Sequence, residues 1–179
     1  MWYKRTRGRN LYIVATRAFF QFVSDMLNAV DNNIISPGHI SMMKARIYKE
    51  VFFEASHRLL HYAGKCFRLH GHQWRAEVWV EGTADERTGI VIDYNCIKDA
   101  ISQFDHQVIL NEEDPMAACL RQFHPVVTMP GDPTSERLAD MIAEMVNAEA
   151  AGQGLDARVA KVRVWESTSC YAERTYESQ

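Results

Sequence analysis

Alternation of apolar and polar residues is sharpest between Ala45 and His57. There Ile47, Val51, Phe53, Ala55 and His57 fall on one side of an extended chain. A second strand is predicted from His70 to Val80, with Trp74, Ala76, Val78 and Val80 on one face. Gly82 to Gly89 is polar and turn-like, and Ile90 to Asp93 continues as a third strand. The period then changes. Ile97, Ala100, Ile101 and Phe104 fall at i, i+3, i+4 and i+7, the spacing of an amphipathic helix. Residues 105–133 read mostly as loop, with prolines at 115, 125, 130 and 133. Thr134 is a good N-cap for a second helix carrying Leu138, Ile142, Met145 and Val146, which Gly152 and Gly154 end. A fourth strand runs from Val159 to Glu166, and Tyr171 to Tyr176 reads as a short edge strand. Short connections between the first strands imply antiparallel pairing, and the element order implies an α+β chain with helices on one sheet face.

The first forty or so residues differ. Lys4, Arg5, Arg7 and Arg9 make a basic start, Leu11 to Val30 reads as a helix, and Asn32 to Gly38 is rich in chain breakers. Arg17 interrupts the apolar run that a secretory signal needs. Residues 1–42 are therefore read as an N-terminal extension, and residues 43–179 as the main domain.

Composition narrows the class. The 179 residues are 47% hydrophobic and 24% charged, which suits a folded soluble domain. Lys+Arg is 20 against Asp+Glu 23, so the basic excess of a dedicated nucleic-acid binder is missing. No apolar run reaches the length of a membrane span. The four cysteines form no C-x-x-C, so they read as reduced thiols in a cytoplasmic protein, most of them small core fillers.

The seven histidines change the picture. His70-Gly71-His72 on a strand presents two imidazoles to one face, and His57 lies on the apolar face of the preceding strand. Pairing of those strands lets three nitrogens converge at about 2.0–2.1 Å on one zinc ion with an open fourth position. Gly71 allows close approach of another backbone or a substrate. Cys66, four residues before His70, is either a fourth ligand closing a structural site or a base or nucleophile beside an open metal. Asp105-His106 follows the first helix and suits a general acid with its orienting carboxylate, or simply a helix end. Glu166 ends an apolar strand, where a carboxylate needs a partner such as a heterocycle with two adjacent N–H donors. His39, His61 and His124 show no partner pattern.

Five motifs occur in a shared order: Phe53-Glu54-Ala55-Ser56-His57-Arg58-Leu59, Cys66 to His72, Asp105-His106 with Leu110-Asn111, Pro133-Thr134-Ser135-Glu136, and Trp165-Glu166-Ser167. Through them the chain resembles the 6-pyruvoyl-tetrahydropterin synthase family over roughly residues 44–176. The resemblance implies the tunnelling fold, a four-stranded antiparallel sheet with two helices on one face. It implies homo-oligomers: barrel-centred trimers stacked into a hexamer, with active sites between subunits. It implies His57, His70 and His72 as zinc ligands, Cys66 as the proton-abstracting thiolate, and Asp105 and His106 as the acid/base pair. Glu166 would anchor the pterin ring, and Thr134 and Ser135 would line its pocket. The C-x-x-x-H-G-H spacing is that of the carboxy-producing branch, whose lyase reaction belongs to queuosine biosynthesis. It takes 7,8-dihydroneopterin triphosphate to 6-carboxy-tetrahydropterin, acetaldehyde and triphosphate. Lys65 and Arg68 are candidates to meet the triphosphate.

The chain also departs from the family. Gln107 stands where many relatives have a second histidine after Asp-His, the stretch 112–132 is long, and residues 1–42 have no counterpart. Rival readings are the same fold making a 6-pyruvoyl pterin, cleavage of dihydroneopterin, or a non-catalytic zinc- or pterin-binding module.

Overall fold

The computed structural model describes residues 43–177. The expected helix at Leu11–Val30 and linker at Asn32–Gly38 lie outside the described residues. In chain order the elements are β1 (Lys44–His57), a one-turn 3-10 helix (Lys65–Phe67), β2 (His70–Thr83), α1 (Tyr94–Ser102), β3 (Gln107–Asn111), α2 (Met116–Leu120), β4 (Val126–Met129), α3 (Ser135–Gly152), β5 (Ala157–Trp165) and β6 (Tyr171–Thr175).

β1 and β2 pair antiparallel along their whole length, from Lys44 opposite Thr83 to His57 opposite His70. β5 adds antiparallel to β2, and β6 to β5. On the other side of β1, β3 and then β4 add in parallel, giving one mixed sheet ordered β4-β3-β1-β2-β5-β6. Among the described residues the sheet therefore has six strands, not four, and three α-helices accompany it, not two. The added strands come from residues 105–133, read above as loop. Val108-Ile109-Leu110 is a short run whose last two residues are fully buried, with no alternation to reveal it. The prolines punctuate rather than fill this stretch. Pro115 precedes α2, Pro125 and Pro130 flank β4, and Pro133 precedes the α3 cap.

Ile90–Asp93 is not a strand. Val91 and Ile92 bury their side chains from an irregular bend, and Asp93 caps α1 by accepting the Asn95 N–H at 2.8 Å. A short buried apolar run looks the same in a strand or a bend, and the cap decides for the helix. Asp93→Ala is expected to cost about 1 kcal/mol, read as a lower urea midpoint with unchanged slope.

α1 and α3 cover one sheet face. Ile97, Ala100 and Ile101 of α1 meet Leu138, Ile142 and Val146 of α3 over Phe53, Trp74, Val78 and Val162. Phe53 stacks parallel to Trp74 at 6.0 Å and tilts against Phe104 at 5.7 Å, so the large rings sit beneath the strand ends that carry the histidines. The four cysteines are free, and only Cys96, half-buried, packs against the core: Cys66 is half-buried in its loop, and Cys119 and Cys170 are exposed. Among the described residues no helix is long and apolar enough to cross a membrane.

Candidate metal centre and active site

Full-length pairing of β1 with β2 puts His57 and His70 directly opposite each other, with His72 two residues along on the same face. Their Nε2 atoms converge. His57 Nε2 lies 3.2 Å from His70 Nε2. From the end of β5, Glu166 reaches the same point, its Oε1 3.3 Å from His72 Nε2 and 3.9 Å from His57 Nε2. One donor atom from each of these four residues lies within 4.8 Å of the other three, so the group could hold a metal ion. Trp74 forms the floor. Its indole stands edge-on to His57 and His72, and its N–H donates to the Ala55 carbonyl at 3.2 Å.

The hydrogen bonds around the rings fix which nitrogens are free. His57 Nδ1 donates to the Pro133 carbonyl at 2.8 Å, and His70 Nδ1 to the Arg68 carbonyl at 2.7 Å. A carbonyl only accepts, so both Nδ1 atoms carry protons. In the neutral rings both Nε2 atoms then present lone pairs to each other at 3.2 Å, an arrangement that a cation between them relieves. Burial lowers the affinity of His57 and of His72 for an extra proton, so the cluster favours neutral imidazoles. His72 Nε2 is buried without a hydrogen-bond partner, since the nearby Glu166 oxygen is off-line for one. An orphaned nitrogen, two facing lone pairs and a carboxylate are a donor set that suits a divalent metal ion. Backbone carbonyls holding two rings by their other nitrogen supply its outer support.

The other expected residues take up different places. Cys66 sits half-buried in the 3-10 turn between β1 and β2, its carbonyl accepting the Leu59 N–H at 2.8 Å. It is not in the four-residue cluster, whose fourth member is Glu166. Lys65 and Arg68 are exposed on the same loop. Gly71 leaves room for β1 itself, because a Cβ there would meet Ser56 Oγ at 3.3 Å. Thr134 caps α3 by accepting the Arg137 N–H at 3.4 Å, and Ser135 is buried beside it, directly after the Pro133 carbonyl that holds His57.

Asp105 and His106 pair at 3.1 Å. The Glu54 N–H, bonded to Asp105 at 2.9 Å, and the His106 ring hold the Asp105 carboxyl below its usual range. His106 adopts φ 57° and is mostly exposed. It lines a groove with Glu54, Ser56, His72, Gln73 and His124. Asp105 and His106 are not among the four clustered donor residues, although His106 shares this groove with His72.

The sequence profile of 6-pyruvoyl tetrahydropterin synthase matches residues 46–177. The chain belongs to that family. A Pyrococcus abyssi relative provisionally named 6-carboxy-5,6,7,8-tetrahydropterin synthase is 36% identical over 148 residues, covering 74% of this chain and 91% of the relative. A Rickettsia felis protein named 6-carboxy-5,6,7,8-tetrahydropterin synthase is 27% identical, covering 70% of this chain and 96% of its own. Among solved structures, an uncharacterized Wolinella succinogenes protein matches with TM-score 0.61 at 21% identity, over 75% of this chain and 99% of that one. The Caenorhabditis elegans 6-pyruvoyl tetrahydropterin synthase matches with TM-score 0.53 at 20% identity, over 76% and 98%. The likeness to these structures establishes the synthase-family fold. Within this synthase-family chain, pattern reading reached the three histidines but missed what holds them. The Pro133 carbonyl and the Trp74 floor carry no motif of their own, and Asp132 stood unremarked beside the Pro133-Thr134 motif.

Proposed function

We propose that the chain is a zinc-dependent lyase that converts 7,8-dihydroneopterin triphosphate and one water to 6-carboxy-5,6,7,8-tetrahydropterin, acetaldehyde and triphosphate, a step toward queuosine and related 7-deazapurines. The observation that carries the chemistry is the convergence of the three Nε2 atoms of His57, His70 and His72. The names of the relatives at 36% and 27% identity support the product.

In this reading His57, His70 and His72 hold the ion. Zinc, when bound, supplies Lewis-acid polarisation of the substrate's side-chain hydroxyls. Glu166 accepts two N–H bonds from the pterin ring. Its position, 3.3 Å from His72 Nε2, keeps a ring bound there within reach of the histidines. Thr134 and Ser135 line the ring's pocket. The Cys66 thiolate removes a carbon-bound proton, and His106, oriented by Asp105, returns one on the opposite side. In this reading the complete site takes Asp105 and His106 from a neighbouring copy. That accords with a homo-oligomer, a hexamer of two trimers, built around a barrel. Lys65 and Arg68 meet the triphosphate, in the cytoplasm and without a nucleic-acid or membrane partner.

The test is metal analysis and product mass spectrometry on one sample. The expected result is one zinc per chain and a 6-carboxy pterin. A pyruvoyl or hydroxymethyl side chain would assign the chain to the sister activities, and zinc-loaded protein without turnover would make it a binding module.

A further inference from the structure

We infer that Asp132 is a positioning residue for the metal centre. It locks the turn whose next carbonyl orients His57, and so sets how tightly the ion is held. The inference rests on the metal-binding reading above.

The Asp132 carboxylate ties its own turn to two other segments. It accepts the Leu60 and His61 N–H groups at 3.0 and 2.9 Å, from the chain just beyond His57. It accepts the Asn111 side-chain amide at 3.0 Å, from the end of β3. His61 Nδ1 stands 3.3 Å away. Asn111 is 1% exposed, so its bond is made inside the protein, where an amide left without a partner is costly. Asn111 also accepts the Glu113 N–H at 3.0 Å, which fixes the orientation of its amide.

The same turn is closed by its own backbone. The Thr134 N–H donates to the Asp132 carbonyl at 2.8 Å. Gly131 has φ +77°, and the Arg137 guanidinium occupies the space a Cβ would need, 2.6 Å from its ideal position. Arg137 Nη1 donates to the Pro130 carbonyl at 3.0 Å. Between these anchors lies Pro133, and its carbonyl is the one that takes His57 Nδ1–H at 2.8 Å. The path has two links. Asp132 fixes the turn to the two strands beside it, and the turn fixes the tautomer and ring direction of a buried ligand. His70 is held by a carbonyl two residues before it, within its own loop, whereas His57 depends on a segment 76 residues away. Asp132 supplies that long-range tie.

The experiment uses the full chain. Zinc affinity is measured by chelator competition, and Co²⁺ is substituted to read ligand geometry from its d–d absorption. Asp132→Leu keeps the size of the side chain and accepts nothing. Asp132→Asn keeps one acceptor. Asp93→Ala loosens α1 away from the turn and serves as the control for general loss of stability. Asp132→Leu is expected to weaken zinc about 10–100-fold, the range for lost support of a metal-bound histidine, and to shift the Co²⁺ bands. Asp132→Asn recovers part of the loss, and Asp93→Ala stays within twofold of the parent. Folded Asp132→Leu with zinc affinity within twofold of the parent overturns the inference. So does an equal loss in Asp93→Ala. Should Asp132→Leu fail to fold, Asp132→Asn decides: weakening beyond threefold supports the role, and an unchanged affinity overturns it. A parent that binds no zinc overturns the metal reading and this inference together, whereas a zinc-binding parent with an indifferent Asp132→Leu overturns this inference alone.

Discussion

Cys66→Ala protein is expected to retain its zinc and to lose turnover by about 10²–10⁴-fold, the usual contribution of a positioned proton-transfer group. The two halves of this result have separate grounds. Retention follows from geometry: the thiol is outside the group of His57, His70, His72 and Glu166, and the three histidines hold the ion without it. Its setting is a 3-10 turn in which the Cys66 carbonyl, not its side chain, makes the bond to Leu59. Truncation at a half-buried position leaves that bond in place. Loss of turnover follows from the proposed chemistry, in which the Cys66 thiolate is the group that removes the carbon-bound proton. Zinc content by metal analysis and initial rates with 7,8-dihydroneopterin triphosphate check both halves. A variant stripped of zinc would make Cys66 a ligand and return the site to a closed structural one.

The largest effect on stability is expected from Arg58→Met, about 3–5 kcal/mol, the cost of stranding one member of a buried ion pair. Arg58 follows His57 and is 7% exposed, and Asp114 is 3% exposed. The guanidinium binds both carboxylate oxygens through Nε and Nη2. Methionine fills much of the volume, but leaves the Asp114 charge buried with only the Met116 N–H at 2.8 Å. The pH dependence has a definite sign. Burial pushes the Asp114 carboxyl up, but the Arg58 bond and the Met116 N–H outweigh it and hold the folded value low. The pair's stability is therefore full above the ordinary aspartate value, about 3.9, and is lost as pH falls through the lower folded value. Without Arg58 only the Met116 N–H opposes the burial, and acid unfolding moves to higher pH. Urea titrations across pH measure both effects. Arg58→Met with Asp114→Leu should recover much of the loss, since an apolar pair replaces a buried ionic one at little cost. A single variant within 1 kcal/mol of the parent would show the pair to be dispensable.

How much of this was legible before the fold depended on the length of each pattern. β1 and β2 alternate over 14 residues each, so their faces, and with them the shared face of His57, His70 and His72, could be read from period two alone. β3 and β4 have five and four residues, and β3 has no polar alternation, so among prolines they passed for loop. The distance between Cys66 and the donor cluster was not legible either, because four residues along a chain can lie near a metal or clear of it. That His106 stays out of the donor group while sharing a groove with His72 was not legible either, because its place depends on the parallel pairing of β3 with β1. Backbone acceptors such as the Pro133 carbonyl have no residue type to betray them.

The exact facing of His57 and His70 across the β1–β2 ladder has a further consequence for folding fidelity. A sheet slipped by one residue would keep a nearly full set of backbone hydrogen bonds while turning every side chain of the slipped strand to the opposite face. Such a misfold would be hard to tell apart by secondary-structure content, yet it would separate His57 from His70 and His72. A metal ion that needs all three rings thus discriminates between two ladders of similar appearance, rewarding one alignment among the many that two long alternating strands permit.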